Sequence, residues 1–228
     1  MKREVRETKD GSKTLYIEAL DEHYHSFHGA LQESLHVFIK NGLRESHQNP
    51  LSILEVGLGT GLNALLTCTE GEVKSEGSPK ISYESLEAYP LAEEEWKATQ
   101  YEDLTESPNG PAIYNQIHTC PWEEPIELKP HFQFTKRHTK LQDFETHKKF
   151  DLIYYDAFAP SAQPELWTES IFKKLFALTV PGGFLVTYCA KGQVKRNMKA
   201  AGYIVKALPG PPGKREMTRA QKELPLNL

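Results

Sequence analysis

The chain has 228 residues, 39% hydrophobic and 25% charged, with a formal net charge of -4. That length and balance suit one generous globular domain or a domain with a small appendage. No stretch reaches the roughly 18 to 20 apolar residues of a membrane span, and charged residues follow Met1-Lys2-Arg3-Glu4 where a signal peptide is apolar, so a cytoplasmic protein with no membrane partner is expected.

In chain order, extended runs over 5–9 and 14–17 flank the turn signal Asp10-Gly11-Ser12-Lys13 and predict a hairpin. Phe27, Ala30, Leu31, Leu35, Phe38 and Ile39 recur at three and four, predicting a helix over 26–39 that ends near Asn41-Gly42. From Pro50 onward, strands are expected over 51–56, 81–86, 132–135, 150–155, 184–189 and 203–207, with helices near 62–69, 91–99, 113–117, 165–178 and 191–200. Pro181-Gly182-Gly183 reads as a helix stop turning into a strand, and 71–80 and 119–130 read as surface loops. Short apolar runs alternating with helical patterns are βα units of a mostly parallel sheet, an α/β fold. Residues 1–49 read as an extension and 50–228 as the main domain.

Strand 51–56 runs into Glu55-Val56-Gly57-Leu58-Gly59-Thr60-Gly61. In an open α/β sheet ligands sit at the carboxyl ends of the strands, and bare glycines let them approach the backbone. Leu62 stands where a dinucleotide fingerprint has its last glycine, and no Gly-Lys-Ser/Thr follows, so the loop fits neither that fingerprint nor a Walker A cradle. Instead it resembles the first motif of class I S-adenosylmethionine-dependent methyltransferases. The strand ending in Glu87 places a carboxylate where it can accept hydrogen bonds from both ribose hydroxyls. No acid occupies the expected spot after the third strand, where His138 or Thr139 stands and Asp143 lies several residues on, so the adenine contact is open.

Asp156-Ala157-Phe158-Ala159-Pro160 leaves the strand over 150–155 at the same edge. Methyl transfer to nitrogen needs a free lone pair, and a primary amine near pH 7 must first lose a proton. Asp156 is the candidate to hold and orient such an amine, with Phe158 covering a base or the nucleoside.

These segments, with Glu87-Ala88-Tyr89-Pro90-Leu91, Pro164-Glu165-Leu166-Trp167-Thr168, Pro181-Gly182-Gly183 and Gly213-Lys214-Arg215-Glu216-Met217, follow in the order seen in the methyltransferase domain of the MnmC family. The resemblance spans almost the whole chain. It implies a Rossmann-like class I methyltransferase fold, with a seven-stranded, mostly parallel, doubly wound sheet and a small N-terminal extension. It implies N-methylation of 5-aminomethyl-(2-thio)uridine at the tRNA wobble position, with S-adenosyl-L-methionine as donor. Because the chain stops at Leu228, the form without the fused FAD oxidase is expected, with no flavin, no metal, and other enzymes supplying the aminomethyl substrate. Donor contacts are expected from Glu55, Gly57, Gly59, Thr60, Gly61, Asn63 and Glu87. Asp156 is expected beside the acceptor amine, with Phe158, Pro160, Trp167, Lys191, Lys214 and Arg215 on the substrate.

Eight acids against Lys97 lie between Glu84 and Glu106, whereas nine bases against Glu216 lie between Lys191 and Lys222. The basic stretch is therefore a candidate for the phosphates of the tRNA anticodon stem-loop. His23, Tyr24, His25 and His28 lack support at metal-ligand spacing and read as part of a lid. Cys68, Cys120 and Cys189 suggest neither a disulfide framework nor a zinc site. Two alternatives stand beside the main reading: a methyltransferase of the same fold acting on a small-molecule amine, and a non-catalytic tRNA-binding module.

Overall fold

The computed structural model describes residues 2–70 and 80–225. The predicted hairpin is β1 (Arg3–Glu7) and β2 (Lys13–Ile17), antiparallel, joined by a third short strand, β3 (Glu22–His23). The following helix starts later than its apolar spacing suggested, as α1 (Ala30–Ser34) continued by a π-helical stretch, Leu35–Lys40. Gly29, at φ 148°, sets its start, so the aromatic and histidine residues 23–28 are left outside it.

The main sheet contains β4 (Leu51–Val56), β5 (Ile81–Glu87), β6 (Ile126–Lys129), β7 (Phe132–His138), β8 (Phe150–Tyr155), β9 (Thr179–Thr187), β10 (Ile204–Pro209) and β11 (Glu216–Gln221). Their spatial order is β10-β11-β9-β8-β4-β5-β7-β6, with the five central strands parallel and β6, β10 and β11 antiparallel to their neighbours. Seven of these strands form the expected doubly wound sheet. The eighth, β6, corrects the expectation of a loop over 119–130. The other expected loop, 71–80, falls on residues 71–79, which lie outside the described residues.

Helices α2 (Leu62–Glu70), α3 (Glu93–Lys97) and α4 (Gly110–Thr119) precede β8, and α5 (Glu169–Leu178) and α6 (Gly192–Ala200) follow it. Interior strands are buried on both faces, and successive residues supply opposite cores. Ile53, Leu152 and Tyr154 pack with α2 and α4, whereas Leu54, Ile153 and Tyr155 pack with α5 and α6. Pro181-Gly182-Gly183 lies inside β9 rather than before it, because pairing of β9 with β8 already begins at Thr179 and the glycines occupy a register shift.

Chain order fixes where a ligand can sit. From β4 the sheet grows outward through β5 and β7, then returns to the other side of β4 with β8 and β9. The crevice between the ends of β4 and β8 is the topological switch point, where open α/β sheets bind their ligands.

Candidate active site

The loop after β4 is fastened to both neighbours. Gly57 and Leu58 N–H donate to the Leu86 carbonyl at 3.0 and 3.1 Å, and the Asp156 N–H donates to the Val56 carbonyl at 3.0 Å. Gly57 (φ 95°) and Gly59 (φ 51°) have left-handed backbone conformations that favour glycine. A Cβ on Gly57 would stand 2.7 Å from the Asp156 carbonyl oxygen, and one on Gly59 would stand 3.1 Å from the Tyr24 ring.

Above this loop lies a cavity of about 370 Å³, a size suited to a nucleoside-sized ligand. Val56 to Thr60 form one wall, Leu86 to Tyr89 the second and Asp156 to Phe158 the third. Thr139 to Gln142, after β7, close the far end, and the N-terminal segment contributes Arg3, Tyr24 and His25.

Glu87 ends β5 as its sequence position suggested. Its two carboxylate oxygens accept the Gly59 N–H at 2.8 Å and the Tyr89 N–H at 2.7 Å, and each keeps lone-pair capacity for a further donor. Thr60 Oγ1 shares a 2.7 Å hydrogen bond with His25 Nε2, tying the N-terminal segment to the glycine loop. Burial drives the His25 pKa down to about 4, so this imidazole is neutral near pH 7.

Asp156 lines the cavity, and its Oδ2 accepts a 2.9 Å hydrogen bond from Asn63 Nδ2. Burial, reinforced by the charge of Glu33, pushes its pKa up to about 7. The chain around it is held rigidly. Phe158 N–H donates to Gln163 at 3.1 Å, Trp167 Nε1 donates to the Phe158 carbonyl at 2.8 Å, and Tyr188 Oη donates to the Ala157 carbonyl at 2.9 Å. The Phe158 ring meets Tyr24 edge-on at 5.0 Å, so the acceptor motif and the N-terminal segment touch across the cavity.

Several expected contacts lie elsewhere. Glu55 is fully buried beneath the loop, accepting from Ser85 Oγ at 2.6 Å, and burial raises its pKa to about 8. Asn63 faces Asp156 rather than the cavity, and its Oδ1 is buried without a partner. Gly61 is turned toward α4, where a Cβ would meet His118 Nε2 at 2.9 Å. None of these three lines the cavity.

Trp167 is 3% exposed and packs edge-on against Tyr155 at 5.0 Å, a core residue rather than a free stacking platform. Pro160 lies outside the cavity lining. Lys191 and Arg215 are exposed. Lys214, by contrast, is committed to an ion pair with Glu33 and lies 3.9 Å from the Tyr188 ring centroid. Among the described residues, no group of three or more His, Cys, Asp or Glu is placed to hold a metal ion, and no helix is long and apolar enough to cross a membrane.

Sequence reasoning missed Tyr24, Leu141, Gln142 and Gln163 as parts of the site. Only the lid reading of residues 23–28 pointed toward any of them. Leu141 and Gln142 line the end of the cavity after β7, together with Thr139 and Lys140.

A doubly wound sheet with a glycine cradle at its switch point and an acid ending the adjacent strand defines the class of open α/β folds that bind ligands at the strand ends. Residues 102–223 match the family described as S-adenosyl-L-methionine-dependent methyltransferase, and the chain belongs to that family. A tRNA 5-methylaminomethyl-2-thiouridine biosynthesis bifunctional protein MnmC from Burkholderia thailandensis is 30% identical over 207 residues, 85% of this chain and 31% of that protein. The Burkholderia pseudomallei protein of the same name is 30% identical over 209 residues, 85% of this chain and 32% of its own length. The chain thus spans about a third of these curated relatives. A crystal structure of MnmC2 from Aquifex aeolicus superposes with TM-score 0.76 at 23% identity, over 98% of this chain and 72% of that one. Spermidine synthase from Thermotoga maritima superposes with TM-score 0.56 at 13% identity, over 97% and 69%. These two likenesses establish the fold.

The family's donor fits the residues present. Gly57 and Gly59 leave the backbone bare along the cavity, and Glu87 ends the adjacent strand with acceptor capacity to spare.

Proposed function

We propose that this chain methylates the primary amine of 5-aminomethyl-(2-thio)uridine at the tRNA wobble position, using S-adenosyl-L-methionine. The observation that carries the reading is the placement of Asp156 across the switch-point crevice from the glycine cradle, inside the same cavity. The names of the Burkholderia relatives, tRNA 5-methylaminomethyl-2-thiouridine biosynthesis proteins, support this acceptor.

When bound, the donor supplies an electrophilic methyl carbon on a sulfonium. Gly57 and Gly59 give it room, and Glu87 accepts from the ribose hydroxyls. Leu86, Leu141 and Ala157 offer apolar surface to the adenine. Residues 1–49 act as a lid, with Tyr24 and the His25–Thr60 bond excluding water from the crevice. Asp156 takes the proton from the acceptor ammonium and orients the freed lone pair, while Asn63 fixes the carboxylate. Phe158 covers the splayed uracil, and exposed Lys191 and Arg215 meet phosphates of the anticodon stem-loop. Direct transfer of this kind asks for neither a flavin nor a metal ion. A cytoplasmic protein whose amine is made by an upstream modification reaction fits this role.

Transfer of labelled methyl from the donor to aminomethyl-tRNA by the purified chain tests the reading. Formation of methylaminomethyluridine supports it. Methylation of a polyamine with tRNA untouched would favour the small-molecule alternative, and donor-independent tRNA binding without transfer would favour a non-catalytic module.

A further inference from the structure

The N-terminal segment sends Arg3, Ile17, Leu20, Tyr24 and His25 to the cavity, and among these described residues Arg3 is the one charged near neutral pH. It stands on β1, the edge strand of the small sheet, opposite Ile17. Val5, Arg6 and Glu7 of the same strand are exposed, whereas the Arg3 side chain is only 9% exposed. An arginine is buried this far only when its charge is paired. Nη1 of Arg3 donates to both carboxylate oxygens of Glu95, at 2.8 and 3.2 Å, and Nη2 donates to the Tyr89 carbonyl at 3.0 Å.

Both partners govern one short stretch. Residues 88–92, between β5 and α3, have no regular secondary structure, and Ala88 and Tyr89 line the cavity beside Glu87. The Tyr89 N–H donates to the Glu87 carboxylate, and the Ala92 N–H donates to Glu95 at 2.8 Å. Arg3 therefore grips this stretch twice, at the Tyr89 carbonyl directly and at Ala92 through Glu95. Its guanidinium also lies 5.9 Å from the centroid of the Tyr24 ring, the ring that faces Gly59. An exposed ion pair would contribute little. Charge-assisted bonds from a buried guanidinium are the stronger kind, and their planar fork fixes geometry as well.

We propose that Arg3 is a positioning residue for the methyl donor: it clamps the N-terminal segment onto the turn after β5, holding Glu87 toward the ribose and Tyr24 over the glycine loop, and so sets how tightly the donor is held and how slowly it leaves. The inference rests on the reading of the cavity as the donor site, and is independent of the acceptor's identity. It assigns to one side chain the coupling between the lid and the ribose end of the site.

The test reads S-adenosyl-L-methionine binding to the whole chain without tRNA, by calorimetry for affinity and by stopped-flow dilution for release, alongside the melting temperature. Arg3→Met should raise the donor Kd by about tenfold or more, mainly through faster release. Arg3→Lys keeps the charge but cannot hold Glu95 and the Tyr89 carbonyl together, so it should fall between Arg3→Met and the parent. Glu95→Gln should weaken binding in the same direction by a smaller factor, and adding it to Arg3→Met should cost nothing further, because the two act as one clamp. A staple that serves only the fold would lower the melting temperature and leave affinity and release as in the parent. A folded Arg3→Met with the parent's donor Kd and release rate would therefore overturn the proposal, as would fully additive losses in the double variant. Should Arg3→Met not fold, parent-like binding in both Arg3→Lys and Glu95→Gln would overturn it equally. A parent chain that binds no donor would instead overturn the donor reading of the cavity, a separate outcome.

Discussion

With its pKa raised to about 7 by burial, Asp156 is largely protonated in mild acid and ionised above neutrality. Only the ionised form can take a proton, so methyl transfer is expected to rise with pH through about 7. Asp156→Asn should lower kcat by roughly 10²-fold or more, the usual worth of a general base, and should flatten that rise. Calorimetry should show donor affinity little changed, because the cradle is untouched. Glu55 has a different role. Its folded pKa is about 8 against about 4.3 in an unfolded chain. A raised carboxyl stabilises the fold below the unfolded value, and that stability is lost as pH rises through the folded one. Glu55→Gln should therefore melt higher than the parent at pH 8, by about 2–4 °C for each kcal/mol relieved, and the gap should close toward pH 4. A parent-like melting curve at pH 8 would show that Glu55 carries no such penalty. The placing of Asp156, Glu87, Gly57 and Gly59 at one sheet edge, where they line the cavity, was legible because strand ends and bare turns can be read from local pattern. The inward turn of Glu55, Asn63 and Gly61 was not legible, because it depends on Ser85, Asp156 and His118, which lie far away in sequence.

Two elements meet at the switch point through a single glycine. A methyl group at Gly57 would press on the Asp156 carbonyl at 2.7 Å, and φ 95° strains any side chain there. Gly57→Ala should cost about 1–3 kcal/mol and weaken both donor binding and turnover, because it spreads β4 from the exit of β8. Gly59→Val should chiefly weaken donor binding, because its side chain meets the movable Tyr24 ring rather than backbone. Melting temperature and donor calorimetry on the two variants separate these effects. The central parallel strands were readable as apolar runs, since burial on both faces leaves that mark. Strand β11 was not, because Glu216, Arg219 and Gln221 alternate with buried Met217 and Ala220 in what looks like a basic tail. It is held between β9 and β10 by pairing over long sequence distances. Strand β6 escaped notice for a similar reason, being a four-residue edge strand defined by its partner β7.

Across the molecule the basic stretch divides into committed and available charges. Lys195 pairs with Glu216 at 2.6 Å, Arg219 with Glu45 at 3.0 Å, and Lys214 with Glu33. Lys191, Arg196, Lys199 and Arg215 are exposed. If the exposed set meets tRNA phosphates, Arg215→Ala should reduce the slope of log K against log salt by about 0.7–0.9. Lys214→Ala should leave that slope as it is. An unaltered slope in the Arg215 variant would place the tRNA elsewhere. Composition revealed the charge asymmetry, but which cations are free depended on acids such as Glu33 and Glu45 from the opposite end of the chain. The most direct test of the whole account is a single-turnover assay of the purified chain with isotopically labelled S-adenosyl-L-methionine and aminomethyl-tRNA. The account predicts label on the wobble-uridine amine, lost in Asp156→Asn at undiminished donor binding. Label absent from that nucleoside, or present at the parent rate in Asp156→Asn, would contradict it.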